Sequence, residues 1–188
     1  MKVLRLLSIL TISAAIISCG TSKKMTKGQE KALGEEIVTP CSDVDFHTDK
    51  KTFRATGIGT SLDLTTSKRK ANLIASANLA ASINQLIKAG IERYAGERQI
   101  ANKVTFNEKY SDMAKQLVNQ ELNNVAIVCS KTYQKDGKYS TYIAVEVRKD
   151  ELLNKITSNI SKKAQNDQDY EAYQFKKALE KEAYMQDK

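Results

Sequence analysis

The sequence predicts an α+β fold in which helices pack on a small antiparallel sheet. No proline interrupts Thr65–Tyr94, and good helix formers dominate that stretch, so we expect one long helix there. A strand-like segment ending in Gly57-Ile58-Gly59 comes directly before it. Further along, two alternating segments flank Asp136-Gly137, a pair that favours the two-residue turn of a β-hairpin. The predicted order is strand, long helix, helix, β-hairpin and C-terminal helix.

The first residues have the features of a lipoprotein signal peptide, which we assign to residues 1–18. Lys2 and Arg5 precede an apolar run that is too short for a membrane span with stop-transfer flanks. The run ends in Ile16-Ile17-Ser18-Cys19, which is similar to a bacterial lipobox, so we expect cleavage before Cys19 and acylation of its sulfur. Two or three acyl chains suffice for stable anchoring. An ordinary signal peptide with a nearby cleavage site is the alternative.

The residues around the lipobox also predict a location. Gly20 stands where an aspartate would retain a lipoprotein in the inner membrane, and Lys23-Lys24 differs from the acidic runs that export some lipoproteins to the cell surface. We therefore expect a lipid anchor in the outer membrane, with the protein facing the periplasm.

The formal net charge of +8 comes from basic residues spread along the chain, without a dense basic block. Removal of Lys2 and Arg5 with the signal peptide lowers that charge by two. We expect no nucleic-acid partner for an exported protein of this kind. The expected partners are the lipid bilayer, through acylated Cys19, and an envelope protein; the sequence leaves the oligomeric state open.

Two cysteines, Cys41 and Cys129, remain once Cys19 is lipidated. The expected compartment permits disulfides, and a bridge between them would close a loop of about ninety residues, worth about 4 kcal/mol in the chain-entropy model. The sequence leaves open whether they pair. It contains no CxxC or HExxH motif, and His47 is its only histidine, so we predict no metal and no cofactor.

Residues 19–50 predict a lipidated N-terminus followed by a flexible tether. The segment is polar, and Pro40, the only proline of the chain, marks a break before the folded part. A coil of this length reaches about 30 Å, enough to lift a domain clear of the lipid headgroups.

The folded domain is predicted to span residues 51–160 and to begin with a strand at Lys51–Gly59. Gly57-Ile58-Gly59 lacks the third glycine and the lysine of a nucleotide loop, so we interpret it as close packing of strand on helix. The helix can be capped by Asp63, Thr65 or Thr66.

The long helix carries no charge between Ala71 and Ile87, and its bulky apolar residues point all round, which predicts burial on more than one side. We expect Ala77 and Ala81 to lie in a close contact and Asn78 to be a buried, hydrogen-bonded amide. Gly90 or Gly96 is expected to end the helix.

A second helix is predicted up to about Leu122, with Thr105-x-x-Glu108 as its capping box. Its apolar face is predicted from the helical spacing of five residues: Tyr110, Met113, Ala114, Leu117 and Val118. In the hairpin, the turn predicts the pairs Val128–Val145, Ala126–Val147 and Ser130–Ile143 on the core face. The pairs Ile127–Glu146, Cys129–Ala144 and Lys131–Tyr142 share the other face.

The C-terminal part is predicted as a short helix starting at Asp150, a polar linker over Ser161–Asp167, and a helical tail. We treat residues 161–188 as an extension, which either binds a partner or docks on its own domain; the sequence does not choose between these.

Four features together resemble the LPP-twenty lipoprotein family: the lipobox, Pro40-Cys41-Ser42, the block FRATGIGTSLDLTTSKRKANLIASANLA and the ending DGKYSTYIAVEV. The resemblance covers roughly Thr52–Val147 and is to uncharacterised envelope lipoproteins of Bacteroidota; the N-terminal domain of flagellar assembly protein T is arranged similarly. It implies a secreted α+β domain with helices on a small antiparallel sheet. It supplies no catalytic residues, and only Cys19 carries over, as the lipidation site.

The favoured function is a membrane-anchored structural or protein-interaction module that is not an enzyme. A small-ligand or glycan carrier is the alternative, which a deep aromatic-lined pocket would favour. An envelope hydrolase is less favoured, because it needs a nucleophile with a base and His47 falls in the predicted tether.

Overall fold

The computed structural model describes residues 37–185. The signal peptide, Cys19 and most of the predicted tether lie outside this range. The chain from Val38 onward forms one unit. Its strands are β1 (Thr52–Ser61), β2 (Ala126–Lys135) and β3 (Lys138–Arg148). Its helices are α1 (Leu64–Glu97), α2 (Lys103–Glu121), α3 (Lys149–Lys163) and α4 (Ala172–Met185), with a 3-10 turn at Leu122–Asn124.

The three strands form one antiparallel sheet in the order β1-β3-β2, with helices packed on it, which confirms the predicted fold class. β1 pairs with β3 from Thr52–Arg148 to Ser61–Tyr139. The hairpin turn lies at Asp136 and Gly137 as predicted, and both residues have positive φ, 50° and 73°, as a type I′ turn requires.

The predicted register of the hairpin is correct near the turn and wrong beyond Cys129. Ser130 pairs with Ile143 as expected, but a β-bulge between Ile127 and Cys129 inserts Val128 as an extra residue. As a result Ile127, not Val128, pairs with Val145. Val128 is 38% exposed and is not a core residue.

The expected core face of β2 is also solvent-exposed. Ala126 and Ser130 are exposed, because α1 packs against β1 and β3 and leaves the third strand largely uncovered. The core therefore lies between α1 and the two strands β1 and β3, where Phe53, Ile143 and Val145 are buried.

Helix α1 buries one narrow face along its first half. Buried residues recur every four positions there: Ser67, Ala71, Ala75, Leu79 and Ile83. The prediction of burial on more than one side is wrong for this half, because the sheet covers only one side of the helix. Leu73 is 69% exposed and Ile74 is 43% exposed.

Two further predictions about α1 fail for the same reason. Ala77 and Ala81 are exposed, so they make no close internal contact. Asn78 is also exposed rather than a core amide, although its Nδ2 donates to the Thr56 carbonyl of β1 at 2.9 Å. The second half of α1 is more deeply enclosed, since α2 and α4 pack on it beside the sheet.

The strand and helix approach so closely that β1 requires glycine at two positions. A Cβ on Gly57 would lie 2.4 Å from Ala75 N, and one on Gly59 would lie 2.3 Å from Ser67 O. Both distances are far below van der Waals contact. The interpretation of Gly57-Ile58-Gly59 as close packing of strand on helix is confirmed.

Helix α1 begins where predicted and ends later than predicted. Asp63 is the N-cap, and its side chain accepts a hydrogen bond from Thr66 N. The helix continues through both Gly90 and Gly96, so neither ends it. Its end is a Schellman motif in which Gln99 has the left-handed φ of 53° and Ile100 N donates to Ala95 O.

Helix α2 is capped by Asn102, whose side chain accepts from Thr105 N, and not by Thr105 as predicted. Its predicted apolar face is confirmed, because Tyr110, Ala114, Leu117 and Val118 are buried.

The C-terminal segment belongs to the same unit and is not a separate extension. α3 starts at Lys149 and is longer than predicted, since it includes the first residues of the expected linker. α4 docks along the second half of α1 and buries Phe175, Ala178, Leu179 and Ala183. Leu179 lies against Gly90, where an added Cβ would come within 2.6 Å of the leucine side chain.

Aromatic side chains from α1, α2, α4 and the segment before α4 hold this docking in place. Tyr94, Phe106, Tyr110, Tyr170 and Phe175 form one cluster of stacked and tilted rings. The Tyr94 hydroxyl donates to Asp169 O at 2.9 Å and accepts from Glu171 N at 2.7 Å. The Tyr110 hydroxyl donates to the Asp167 carboxylate at 2.8 Å.

Candidate interaction surface

Cys41 and Cys129, the two cysteines left open by the sequence, are joined in a disulfide. Their Cα atoms are 5.7 Å apart and they are separated by 88 residues in sequence. Cys129 pairs with Ala144 in the sheet, on the face opposite α1. Cys41 is 5% exposed and Ala144 is fully buried, so the segment around Cys41 covers the outer face at Ala144, while the β2 residues near the turn stay exposed.

The covering segment, residues 38–50, which we call the strap, is anchored by polar contacts as well. Thr56 Oγ1 donates to Asp43 at 2.6 Å, and Arg54 Nη1 donates to Asp49 at 2.6 Å. Arg54 Nε also donates to Glu146 of β3 at 2.7 Å. The prediction of a flexible tether up to residue 50 is therefore wrong for residues 38–50.

Electrostatics at the strap favour the ionised form of Asp49. Its carboxylate accepts from the backbone N–H groups of Lys51 and Thr52 and pairs with Arg54, which together lower its pKa well below the usual range. Arg54, placed between two carboxylates, has a raised pKa in spite of its partial burial. This network joins the strap to β1 and β3.

His47 lies in the strap and is exposed, with Nδ1 donating to the Val44 carbonyl at 3.2 Å. No group of metal-ligating side chains occurs among residues 37–185. Cys19, the predicted lipidation site, lies outside the described residues.

The two edges of the sheet differ in how their backbone groups are satisfied. On the outer edge of β1, Thr48 Oγ1 accepts from Arg54 N at 3.0 Å and donates to Arg54 O at 3.2 Å. Asn78 donates to Thr56 O, and Lys70 Nζ donates to Thr60 O at 3.4 Å. Side chains thus cap this edge along most of its length.

The edge of β2 carries no such caps. Within residues 37–185, no hydrogen bond from outside the hairpin reaches its backbone. All ten residues of this strand are exposed except Cys129, which is half-buried. β2 is a long, solvent-exposed edge strand, the kind of element that natural sheets usually shorten, cover or cap.

A buried lysine lies where β3 passes into α3. Lys149 is fully buried, and its ammonium group donates to the Ala183 carbonyl of α4 at 2.7 Å. The same nitrogen lies 5.1 Å from the centre of the Phe53 ring and 5.7 Å from that of Tyr184. These contacts connect β1, α3 and the last turn of α4.

A cleft of about 600 Å³ opens beside this lysine. Its lining is mostly charged and polar, with one aromatic side chain: Lys50, Lys51, Thr52, Glu146, Arg148, Asp150 and Tyr184. It therefore differs from the deep aromatic-lined pocket that a ligand carrier was expected to have.

Comparison of the chain with protein-family models, with curated proteins and with solved structures found no match in any of the three. The resemblance to LPP-twenty lipoproteins remains an expectation from the sequence. Between residues 37 and 185, no helix has both the length and the apolar character needed to cross a membrane.

Sequence reasoning identified both disulfide cysteines but missed the open edge of β2 and the buried lysine. The edge was missed because its residues were assigned to the core. The sequence carries no signal that singles out Lys149, because it lies in the charged run Arg148-Lys149-Asp150-Glu151.

Proposed function

We propose that this protein is a lipid-anchored lipoprotein of the bacterial envelope, and that its domain serves as a structural or protein-interaction module. The anchor is Cys19, acylated in an outer membrane whose periplasmic side the domain faces. This proposal begins from the charged n-region, the apolar run and the lipobox at the start of the chain.

The disulfide between Cys41 and Cys129 is the structural observation that supports export most directly. Stable disulfides form in oxidising compartments such as the bacterial periplasm and are rare in the cytosol. The pair has one cysteine in the strap and one in the sheet, so it also fixes the point at which the anchored segment joins the folded unit.

The contacts of the strap determine where a force on the anchored N-terminus reaches the fold. Residues 38–50 are held to β2 by the disulfide and to β1 by Arg54–Asp49 and Thr56–Asp43, so a pull on the N-terminus acts on the sheet at these three points. Such an attachment suits an anchored module, because a covalent bond then transmits force from the anchor to the sheet and the strap is not peeled from it.

Metabolic labelling with an alkynyl fatty acid tests the anchor. Labelled cells would express the wild-type protein or Cys19→Ser, and we expect label on the wild type alone, with the variant found as unprocessed or mislocalised precursor. Cys41→Ser is the matched control, since it removes a different cysteine and should keep the label. Equal labelling of wild type and Cys19→Ser would overturn the proposed function.

A further inference from the structure

The open edge of β2 is the feature of this surface that can bind a partner. β1 and β2 are the two edges of the same sheet, yet among the residues that the structure describes only β1 has side-chain caps on its backbone: Thr48, Asn78 and Lys70. An uncapped edge strand presents a row of unpaired donors and acceptors that can pair with another extended chain. Addition of a strand to such an edge is a common mode of peptide recognition.

The hairpin geometry defines which groups β2 offers. Lys135 and Lys138 flank the two-residue turn, so they form the closing hydrogen-bonded pair. Because ladder bonds alternate along an antiparallel strand, the backbone groups of Ser130, Thr132 and Gln134 point away from β3. These three residues form the outward row.

The charge on this edge indicates the chemistry of the incoming chain. Lys131 and Lys135 project from the same face of β2, and Lys138 lies beside the turn. None of the three has an ion-pair partner among the described residues, whereas Lys109 and Lys155 do. At the other end of the strand the bulge exposes Ile127 and Val128, which are 52% and 38% exposed.

The same charges argue against a second copy of this chain as the occupant. In an antiparallel pairing of β2 with β2, the sheet continues and each face is preserved. Lys131 and Lys135 of both copies would then lie on one face of the joined strands. Every register that places two of these lysines directly opposite each other destabilises the pairing.

We propose that the β2 edge accepts an extended segment of a partner protein as a fourth strand, with acidic residues at alternate positions of that segment facing Lys131 and Lys135. This inference rests on the proposed function as an interaction module and names the chemistry of its partner. Backbone hydrogen bonds to the outward row supply the part of the affinity that does not depend on the partner's side chains, and the lysines select acidic segments.

The test uses the full-length protein purified from membranes in detergent, with two synthetic ten-residue peptides that match the length of β2. One alternates glutamate with valine and threonine, and the other carries lysine at the glutamate positions. We expect saturable binding of the acidic peptide only. Hydrogen exchange should slow at the amides of Ser130, Thr132 and Gln134 when it binds.

Two variants separate strand addition from charge attraction. Ser130→Pro removes one outward donor without removing a bond to β3, and should weaken binding by about tenfold. Lys131→Glu with Lys135→Glu should weaken it by about tenfold or more. Lys68→Glu with Arg69→Glu, which makes the same charge change at exposed positions of α1, should bind as the wild type does.

Several outcomes would overturn the inference. These are equal binding of the two peptides, no binding of the acidic peptide, and unchanged binding by Ser130→Pro. Gln134→Pro repeats the test at a second outward donor if Ser130→Pro lowers the urea midpoint. A dimer of the wild type that Ser130→Pro dissociates in sedimentation would show that the edge joins two copies instead.

The labelling and peptide-binding results together distinguish an error in the strand-addition inference from an error in the proposed function. If Cys19 takes up the fatty-acid label and the acidic peptide does not bind, only the strand-addition inference is wrong. If Cys19 takes up no label, the proposed function is wrong whatever the peptide does.

Discussion

Adding one methyl group at Gly57 should destabilise the fold far more than adding one at Gly96. At Gly57 the new Cβ would lie 2.4 Å from Ala75 N and 2.5 Å from Ala71 O, whereas ordinary contact begins at 3.4 Å. Both neighbours are backbone atoms of α1, so no side chain can rotate away. The strand must therefore move from the helix by roughly 1 Å, a gap that forfeits a quarter to a half of each dispersion contact nearby.

The expected cost follows from this displacement. Overpacking of a core costs about 1–3 kcal/mol when side chains can adjust, so a clash with backbone should cost about 3 kcal/mol or more. For a folded unit of this size, that corresponds to a fall in Tm of about 6–12 °C. Gly96→Ala is the matched control, because nothing lies within 4 Å of its new Cβ. Alanine should raise helix stability there by up to about 1 kcal/mol.

Urea denaturation followed by circular dichroism measures both variants. The Gly57→Ala midpoint should fall well below that of the wild type, and the Gly96→Ala midpoint should stay or rise. Coincident midpoints for the two variants would show that β1 does not pack backbone to backbone on α1, and the account of the core would be wrong.

The remaining predictions concern the disulfide, the exposed face of α1 and the buried tyrosines. Cys41→Ser should lower the free energy of unfolding by about 4 kcal/mol, and reductant should destabilise the wild type but not this variant in thermal melts. Ala75→Leu should destabilise severely while Ala77→Leu should not, because the first residue is fully buried and the second is exposed; similar melting temperatures would refute this. Burial raises the pKa of Tyr110, with the nearby Asp167 adding to the shift, so the folded state holds its proton after the unfolded chain has lost it. Stability should therefore fall as the pH rises above about 10, and less steeply in Tyr110→Phe than in Tyr173→Phe, which changes an exposed ring.

Local sequence signals predicted the parts of the fold that depend on local geometry. The helix cap, which is Asp63 of the three candidates, the Asp136-Gly137 turn and the two glycines facing the helix each follow from a backbone requirement that only a few residue types meet. The same holds for the apolar face of α2, which a single period of 3.6 residues defines.

The wrong predictions concern burial and register, which depend on the element that covers a given surface. The sequence does not show that α1 lies over β1 and β3 only, so its pattern predicts burial of the apolar Leu73 and the small Ala77, which are both exposed. The bulge at Val128 is not predictable from the sequence. The β2 residues before and after it are mostly exposed, so no alternation of buried and exposed residues marks the change in register.

The two disulfide cysteines were the only part of the candidate surface that the sequence made identifiable. Cys41 and Cys129 were identifiable by counting cysteines, but the strap between Val38 and Lys50 looked like a linker because its contacts are polar. The contrast between a capped β1 edge and an open β2 edge depends on Thr48 and Asn78, whose partners are set by tertiary structure.

The central claim, an exported and lipid-anchored domain joined to its tether by a disulfide, is tested most directly by the intact mass of the protein purified from membranes. The account predicts a chain that starts at Cys19, carries two or three acyl chains and lacks the two hydrogens of the Cys41 and Cys129 thiols. A chain that retains Met1, begins without acylation, or has both thiols free would contradict it.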